Sequence, residues 1–423
     1  MSAPRAVVVV TGSELVRGDR QDLNGPFLAR ELGSLGLEPE RIVIVGDSPA
    51  ELEAALREGA SADLCVVSGG LGPTHDDRTV ELVALVTGRE LVLDPRLQRE
   101  IETVSRGIAE RLRRPYADFQ PGVEKQATLP KGAVSLGLAG TAPGSVLDTG
   151  GCVFVVLPGP PPELRRLWAR ALAAEPVGRV LARAEAPERR VLRFYGASES
   201  EVARTLREAG GEGEGVDVTV CARDFEIHVD LVAAHGARGR SDELAEALRQ
   251  GLGAYLFAED ERPVAELVLD LCRERGYTLA TAESCTGGLV AARLTDVAGA
   301  SNVFLGSIVA YADGVKTAFL GVPPATLERH GAVSAETAAA MAAGVRERFG
   351  TDVGIAVTGV AGPGGGTPEK PVGLVYFHVS AHDEAVGGDF SVPADRATVR
   401  ARATVASLQL ARRVLSQARD GNA

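Results

Sequence analysis

In the stretch GASNVFLGSIVAYADGVK, Gly299 to Lys316, a serine stands ten residues ahead of a tyrosine and fifteen ahead of a lysine. A serine hydroxyl attacks an acyl carbon only when something removes its proton, and histidine or lysine most often does so. Of the six histidines, His330, His378 and His382 fall in this part of the chain, none in a triad context. A lysine serves as base only in its neutral form, which burial or a neighbouring positive charge favours. Ser301, Tyr311 and Lys316 are therefore candidates for a histidine-free nucleophilic site, with Tyr311 relaying or positioning the proton. The plainer alternative is a turn and a strand that carry one solvated lysine.

Two glycine-rich stretches in the same third of the chain favour the chemical reading. AESCTGG (282–288) follows an apolar run and precedes a helical pattern, so Ser284, Thr286 and the glycine amides can cradle an anion at a helix terminus. TGVAGPGGG (358–366) offers a second exposed backbone loop, and ligands of open α/β sheets sit at such strand ends. Near the start of the chain, SGGLGPTHDDRTVELVA (68–84) follows the run DLCVV and enters a helix. Its adjacent Asp76 and Asp77 are either helix caps or a divalent-metal site beside a glycine loop. His75 reads as a loop residue.

These residues need strands and helices to hold them. AVVVVTGSE (6–14), RIVIVG (41–46), DLCVVSGG (63–70) and CVFVVLPGPPPEL (152–164) are short buried-strand patterns. They alternate with the helical patterns GPFLARELGSLGL (25–37) and AELEAALREGA (50–60), which predicts parallel pairing with crossover helices. From about 178 to 257 shorter strands (VLRFYGA, FEIHVDLVAA) and the helices ESEVARTLREAG and SDELAEALRQGL predict a small α+β module. Its GGEGEG turn (210–215) has no phosphate-loop lysine, and AEDERP (258–263) reads as a polar hinge. Beyond the hinge, VAELVLDLCRERG, YTLATAES, DVGIAVTG and VGLVYFHVS predict a second α/β domain.

A chain of 423 residues predicts two to three domains. Its formal charge of -12 argues against a nucleic-acid binder, because neutralising phosphates needs clustered Lys and Arg. The five cysteines at 65, 152, 221, 272 and 285 form no C-x-x-C pair and read as reduced thiols. The four-valine run near the N-terminus is too short for a signal-peptide core or a membrane span, so a cytoplasmic protein with no membrane partner is expected.

AESCTGG, GASNVFLGSIVAYADGVK, GAVS (331–334), TGVAGPGGG and EKPVGLVYF (369–377) together resemble the C-terminal domain of the CinA proteins, the nicotinamide mononucleotide (NMN) deamidase family, over roughly 260–420. The resemblance implies hydrolysis of the NMN carboxamide to nicotinate mononucleotide and ammonia, without a cofactor. It implies Ser301 as nucleophile, Lys316 as general base and Tyr311 as an assisting hydroxyl. Ser284, Thr286, Gly287, Thr358 and Gly359 are implied to bind substrate, and Arg396 its phosphate, with Arg400 as the alternative because Ala394 stands where many relatives have glycine.

The first 170 residues resemble the molybdopterin-binding-like domain of the same family, through TGSELVRGDRQDLNGPFLA, GGLGPTHDD, GTAPG and LPGPPPEL. The segment 178–257 resembles its small, KH-like linking domain. The implied fold is thus a three-layer N-terminal α/β domain, a small α+β module and a C-terminal α/β domain. For the first domain the family implies a metal-dependent ADP-ribose pyrophosphatase with Glu14, Asn24, Gly70, Thr74, Asp76 and Asp77 at its site, Asp76 and Asp77 holding the metal. Ser13 stands where threonine is usual, and Leu23 replaces the motif's later threonine. A homodimer is expected. The alternative is a pterin- or nucleotide-binding regulatory protein whose N-terminal half does not turn over substrate.

Overall fold

The computed structural model describes residues 3–211, 213–381 and 384–417. Glu212 of the acidic turn, His382 and the chain beyond 417 therefore lie outside the described residues. The chain divides into two compact units, 1–189 with 214–216 and 232–241, and 190–213 with 217–231 and 242–423.

In the first unit the strands are β1 (Arg5–Thr11), β2 (Glu38–Val45), β3 (Leu64–Ser68), β4 (Leu91–Leu93), β5 (Thr128–Pro130), β6 (Val134–Leu138), β7 (Pro143–Asp148) and β8 (Val153–Leu157). A six-stranded sheet runs β2-β1-β3-β8-β7-β6, while β4 and β5 pair separately. The valine run of β1 shows why the sheet is central. Val8 and Val10 pack with Leu28, Leu32 and Trp168 on one face, whereas Val7 and Val9 pack with Leu52, Leu56 and Leu82 on the other. A strand covered on both faces reads as a continuous apolar run. The helices that cover it include α1 (Asn24–Ser34), α2 (Pro49–Gly59), α3 (Thr79–Thr87) and α4 (Pro161–Leu172). This is the expected three-layer architecture, with one departure. Strands β2, β1, β3 and β8 are parallel, but β6 and β7 form an antiparallel hairpin closing one edge. The short connection between them leaves no room for a crossover helix.

The next elements are β9 (Glu188–Phe194), α5 (Glu199–Glu208), β10 (Val216–Arg223), β11 (Glu226–Ala233), α6 (Arg238–Leu252) and β12 (Leu256–Ala258), with sheet order β10-β11-β9-β12. Helix α5 starts in a capping box between Ser198 and Glu201. Most of this module clusters with the C-terminal domain in the second unit. A buried network joins them: Arg193 pairs with Glu226 at 2.5 Å, and Gln409 donates to the other oxygen of that carboxylate at 2.8 Å.

The C-terminal domain contains α7 (Val264–Arg275), β13 (Leu279–Glu283), α8 (Leu289–Thr295), β14 (Phe304–Val309), α9 (Asp313–Leu320), α10 (Ala335–Phe349), β15 (Val353–Gly359), β16 (Leu374–Ser380), β17 (Ala385–Ser391) and α11 (Arg396–Gln417). Its sheet runs β14-β13-β15-β16-β17. Leu279, Ile355 and Val357 face α7, α8 and α11, while Ala280, Ala282 and Ala356 face α10. Strands β14, β13 and β15 are parallel, and β16 and β17 are antiparallel.

Candidate active site

Three parallel strands deliver their following loops to one edge of the C-terminal sheet. Glu283, the last residue of β13, is level with Val309 of β14 and Val357 of β15. The Ala310 amide donates to the Glu283 carbonyl at 2.8 Å and the Ser284 amide to the Val357 carbonyl at 2.9 Å. The chain therefore leaves the sheet at Ser284 and at Tyr311 side by side, and Lys316 follows in the first turn of α9. Lys316 is 1% exposed. Its amine meets the Tyr311 carbonyl at 3.4 Å and the Asp313 carboxylate at 3.6 Å, both long contacts for a charge taken out of water.

The first turn of α11 clamps these loops. Arg396 donates to the Tyr311 hydroxyl and to the Gly362 carbonyl, both at 2.8 Å. Arg400 donates to the carbonyls of Cys285 at 3.0 Å and Thr286 at 2.7 Å. Gly287 has a φ of +62°, and a Cβ there would press against Arg400 at 3.3 Å, so glycine suits this position twice over. The hydroxyl of Thr286 is buried without a partner among the described residues. Burial pushes the neighbouring Cys285 thiol up to about 12, which leaves it an unreactive packing group.

Glu283 organises the turn. It is fully buried, and its carboxylate accepts from the amides of Gly288 at 2.9 Å, Val290 at 3.0 Å and Ala291 at 2.8 Å. The start of α8, expected to be an anion cradle, is thus already filled by a carboxylate of the same chain. Thr358 is also committed, donating to the Ala332 carbonyl at 2.7 Å. Gly359 is a strand residue whose Cβ would meet the Leu374 carbonyl at 2.8 Å. Both hold the β15 end in place.

In the first unit the parallel strand ends again converge. Asn24 is buried and donates to Ser68 Oγ at 3.0 Å and to the Gly159 carbonyl at 2.7 Å, tying α1 to the end of β3 and to the loop after β8. Asp22 accepts from the Asn24 and Gly25 amides at 2.9 and 3.1 Å. Glu14, Asp22, Asn24 and Ser68 line a cavity of about 440 Å³. The β3 loop carries Gly70, whose φ of +65° and contact with Thr79 exclude a side chain. Thr74 then bonds both aspartates through its hydroxyl, and its amide donates to Asp77 at 3.1 Å. The Thr74 hydroxyl holds the Asp76 carboxyl below its usual range. Neither aspartate caps α3, whose first turn has no side-chain cap.

Comparison with known proteins accords with this architecture. Residues 261–415 match the CinA C-terminal domain, and residues 7–176 match a probable molybdopterin binding domain. Over 98% of the chain and 99% of the relative, 46% of residues are identical to a CinA-like protein of Mycolicibacterium gilvum. The chain belongs to the CinA family. A CinA-like protein of Mycobacterium tuberculosis is 43% identical over 97% of both chains. Among solved structures, a competence/damage inducible protein from Agrobacterium tumefaciens is 36% identical, covering 38% of this chain and 100% of its own, with a TM-score of 0.36.

In this CinA-family chain the structure brings Ser284, Thr286, Gly287, Tyr311, Lys316, Arg396 and Arg400 to one sheet end, but not Ser301. Ser301 lies in the one-turn helix Ala300–Asn302 that precedes β14, whereas Tyr311 and Lys316 follow that strand. The six residues of β14 put them roughly 20 Å apart. The expected Ser301–Lys316 pair is therefore not formed within one chain, whereas Ser284 leaves the sheet on the lysine's side. Glu283 was not singled out in the sequence. Its one signal is a carboxylate placed ahead of a helix start that has no Ser, Thr, Asp or Asn cap.

Proposed function

We propose that the C-terminal domain hydrolyses the carboxamide of NMN, with Ser284 as nucleophile and Lys316 as base. What carries this reading is the emergence of Ser284 beside the strand that leads to a buried lysine, at the carboxyl ends of the parallel strands of a CinA-family domain. Lys316 takes the Ser284 proton as Oγ bonds to the carboxamide carbon. The tetrahedral oxyanion is held by amides of the 285–286 turn. Collapse breaks the C–N bond, and Lys316 returns the proton to the departing ammonia. A water molecule then attacks the Ser284 ester and gives a proton to Lys316, which passes it to the departing Ser284 oxygen as the acyl–Oγ bond breaks; the product acid ionises to the carboxylate, and serine and lysine are restored. Exposed Arg396 binds the phosphate, while Arg400, tied to two carbonyls of the serine turn, holds that turn in position. Ammonia release from NMN by the purified full chain, and its loss in Ser284→Ala, test the assignment.

For the N-terminal domain we propose hydrolysis of the ADP-ribose pyrophosphate, supported by the cavity at Glu14 and Asn24 and by the paired carboxylates after β3. Among the described residues no three His, Cys, Asp or Glu side chains gather as a metal cage. Two carboxylates nevertheless fit a magnesium-type ion, which takes one or two carboxylates and completes its shell with substrate phosphates and water. Asp76 and Asp77 would hold it, and when bound it polarises the phosphate and activates water. Thr74 fixes both carboxylates, and Asn24 holds the surrounding loops.

A further inference from the structure

A cavity of about 380 Å³ lies within the second unit, where the linking module meets the C-terminal domain. Tyr195 follows β9, Tyr255 precedes β12 and Phe377 lies on β16, and with Leu410 of α11 they give the cavity apolar walls. Its charge comes from Arg412 and Arg413, further along α11. The place is separate from the serine turn, because Arg412 follows Arg400 by more than three helical turns, about 18 Å along the axis.

Arg412 is oriented from behind. The buried Glu226 carboxylate accepts from Gln409 at 2.8 Å, and the side-chain oxygen of Gln409 accepts from Arg412 Nε at 3.1 Å. The planar group also lies 5.5 Å from the centre of the Phe257 ring. One edge of the guanidinium is thereby used. Its Nη atoms have no hydrogen-bond partner among the described residues, yet they are not sealed from solvent.

The charges around that fork select the ligand. Among the described residues no acidic side chain lines the cavity, and neither Arg412 nor Arg413 forms an ion pair. Burial lowers the Arg412 pKa from its ordinary value, and the Arg413 charge lowers it further, against a weaker opposing pull from Glu226. In a chain of net charge -12, this is a local excess of positive charge that burial makes costly and an anion would relieve. The two Nη groups match the two oxygens of a carboxylate. The aromatic walls favour a flat apolar body, which an inorganic anion lacks.

We propose that this cavity binds a small organic acid, one carboxylate on a ring-sized apolar body, with the carboxylate on the Nη atoms of Arg412 and the body against Tyr195, Tyr255 and Phe377.

Calorimetric titration of the full chain with benzoate tests the site without reference to turnover, so it stands or falls apart from the deamidase reading. Saturable binding is expected, with benzamide and inorganic phosphate each at least roughly tenfold weaker, the first for want of charge and the second for want of an apolar body. Arg412→Met keeps much of the side-chain stem and should weaken benzoate by about tenfold or more. Ala254→Trp, at an exposed turn position on the cavity wall, should remove binding while leaving the circular dichroism spectrum unchanged, and it decides the matter should Arg412→Met fail to fold. No benzoate binding to folded wild-type protein, equal binding of benzamide or phosphate, or undiminished binding by either folded variant would each overturn the proposal.

Discussion

The six-stranded and five-stranded sheets both place loops at the carboxyl ends of parallel strands, yet they equip those ends in opposite ways. In the N-terminal unit Asp76 is exposed and Asp77 half-buried, and both are bonded to Thr74. At the C-terminal site the Lys316 amine is enclosed, and the one carboxylate of the turn, Glu283, is spent on backbone amides. A lysine held out of water can itself supply the base, whereas carboxylates with no nucleophile beside them need a metal and a bound substrate to act. On the proposed readings, one topological rule would serve two different chemistries, separated by how deeply the working groups are buried.

The largest effects should come from removing the enclosed amine. Lys316→Met is expected to lower NMN deamidation by about 10²–10⁴-fold, the range typical of a lost general base. Lys316→Arg should not restore it, because a guanidinium stays protonated. Near-wild-type turnover by either variant in a steady-state ammonia assay would remove the contrast between the two sites.

Chelation should then split the activities. With EDTA present, ammonia release from NMN should continue while ADP-ribose hydrolysis stops, and Asp76→Asn with Asp77→Asn should reproduce the second loss without the first. Loss of both activities under EDTA, in protein that stays folded, would show that the sites are not chemically independent.

A smaller effect concerns Glu283. Glu283→Gln keeps the shape but turns an amide nitrogen toward donors that need acceptors, and unsatisfied buried groups cost about 1–3 kcal/mol each. Chemical denaturation should report a loss of that order, with kcat falling more than KM rises as the serine turn loosens. An unchanged midpoint would mean that the carboxylate is not the organiser of the turn.

The smallest effect is a pH dependence in the N-terminal unit. Burial raises the Asp63 carboxyl, but the Arg5 amide and the Arg183 guanidinium outweigh it and hold it below its ordinary value. A carboxyl depressed in the folded state stabilises above its unfolded pKa, and that contribution is lost as pH falls through the folded value. Melting temperatures of wild type and Asp63→Asn should differ slightly at neutral pH and converge in acid. A difference that grows on acidification has the wrong sign.

Much of this organisation was legible in the sequence because burial on two faces writes a simple pattern. The valines of β1 and the apolar runs of β3, β8, β13 and β15 each announced a central strand, and the glycine stretches marked their carboxyl ends. Chain spacing was a poorer guide to the site itself. Fifteen residues from Ser301 to Lys316 look close, but a strand between them carries the two to opposite edges of the sheet, while Ser284, twice as far along the chain, is on the lysine's side. The hairpins β6–β7 and β16–β17 were hidden because pairing direction leaves no mark in an apolar pattern. The Arg193, Glu226 and Gln409 network was equally invisible, since its members come from distant segments and each alone reads as a surface residue.

The central claim is that Ser284, and not Ser301, forms the bond to substrate. Rapid acid quenching of the full chain during turnover of NMN, followed by proteolysis and mass spectrometry of the acylated peptide, tests it most directly. The account predicts the acyl group on the peptide containing Ser284 and an unmodified peptide containing Ser301. An adduct on Ser301 would contradict it, and would require a second copy of the chain to bring that serine to Lys316.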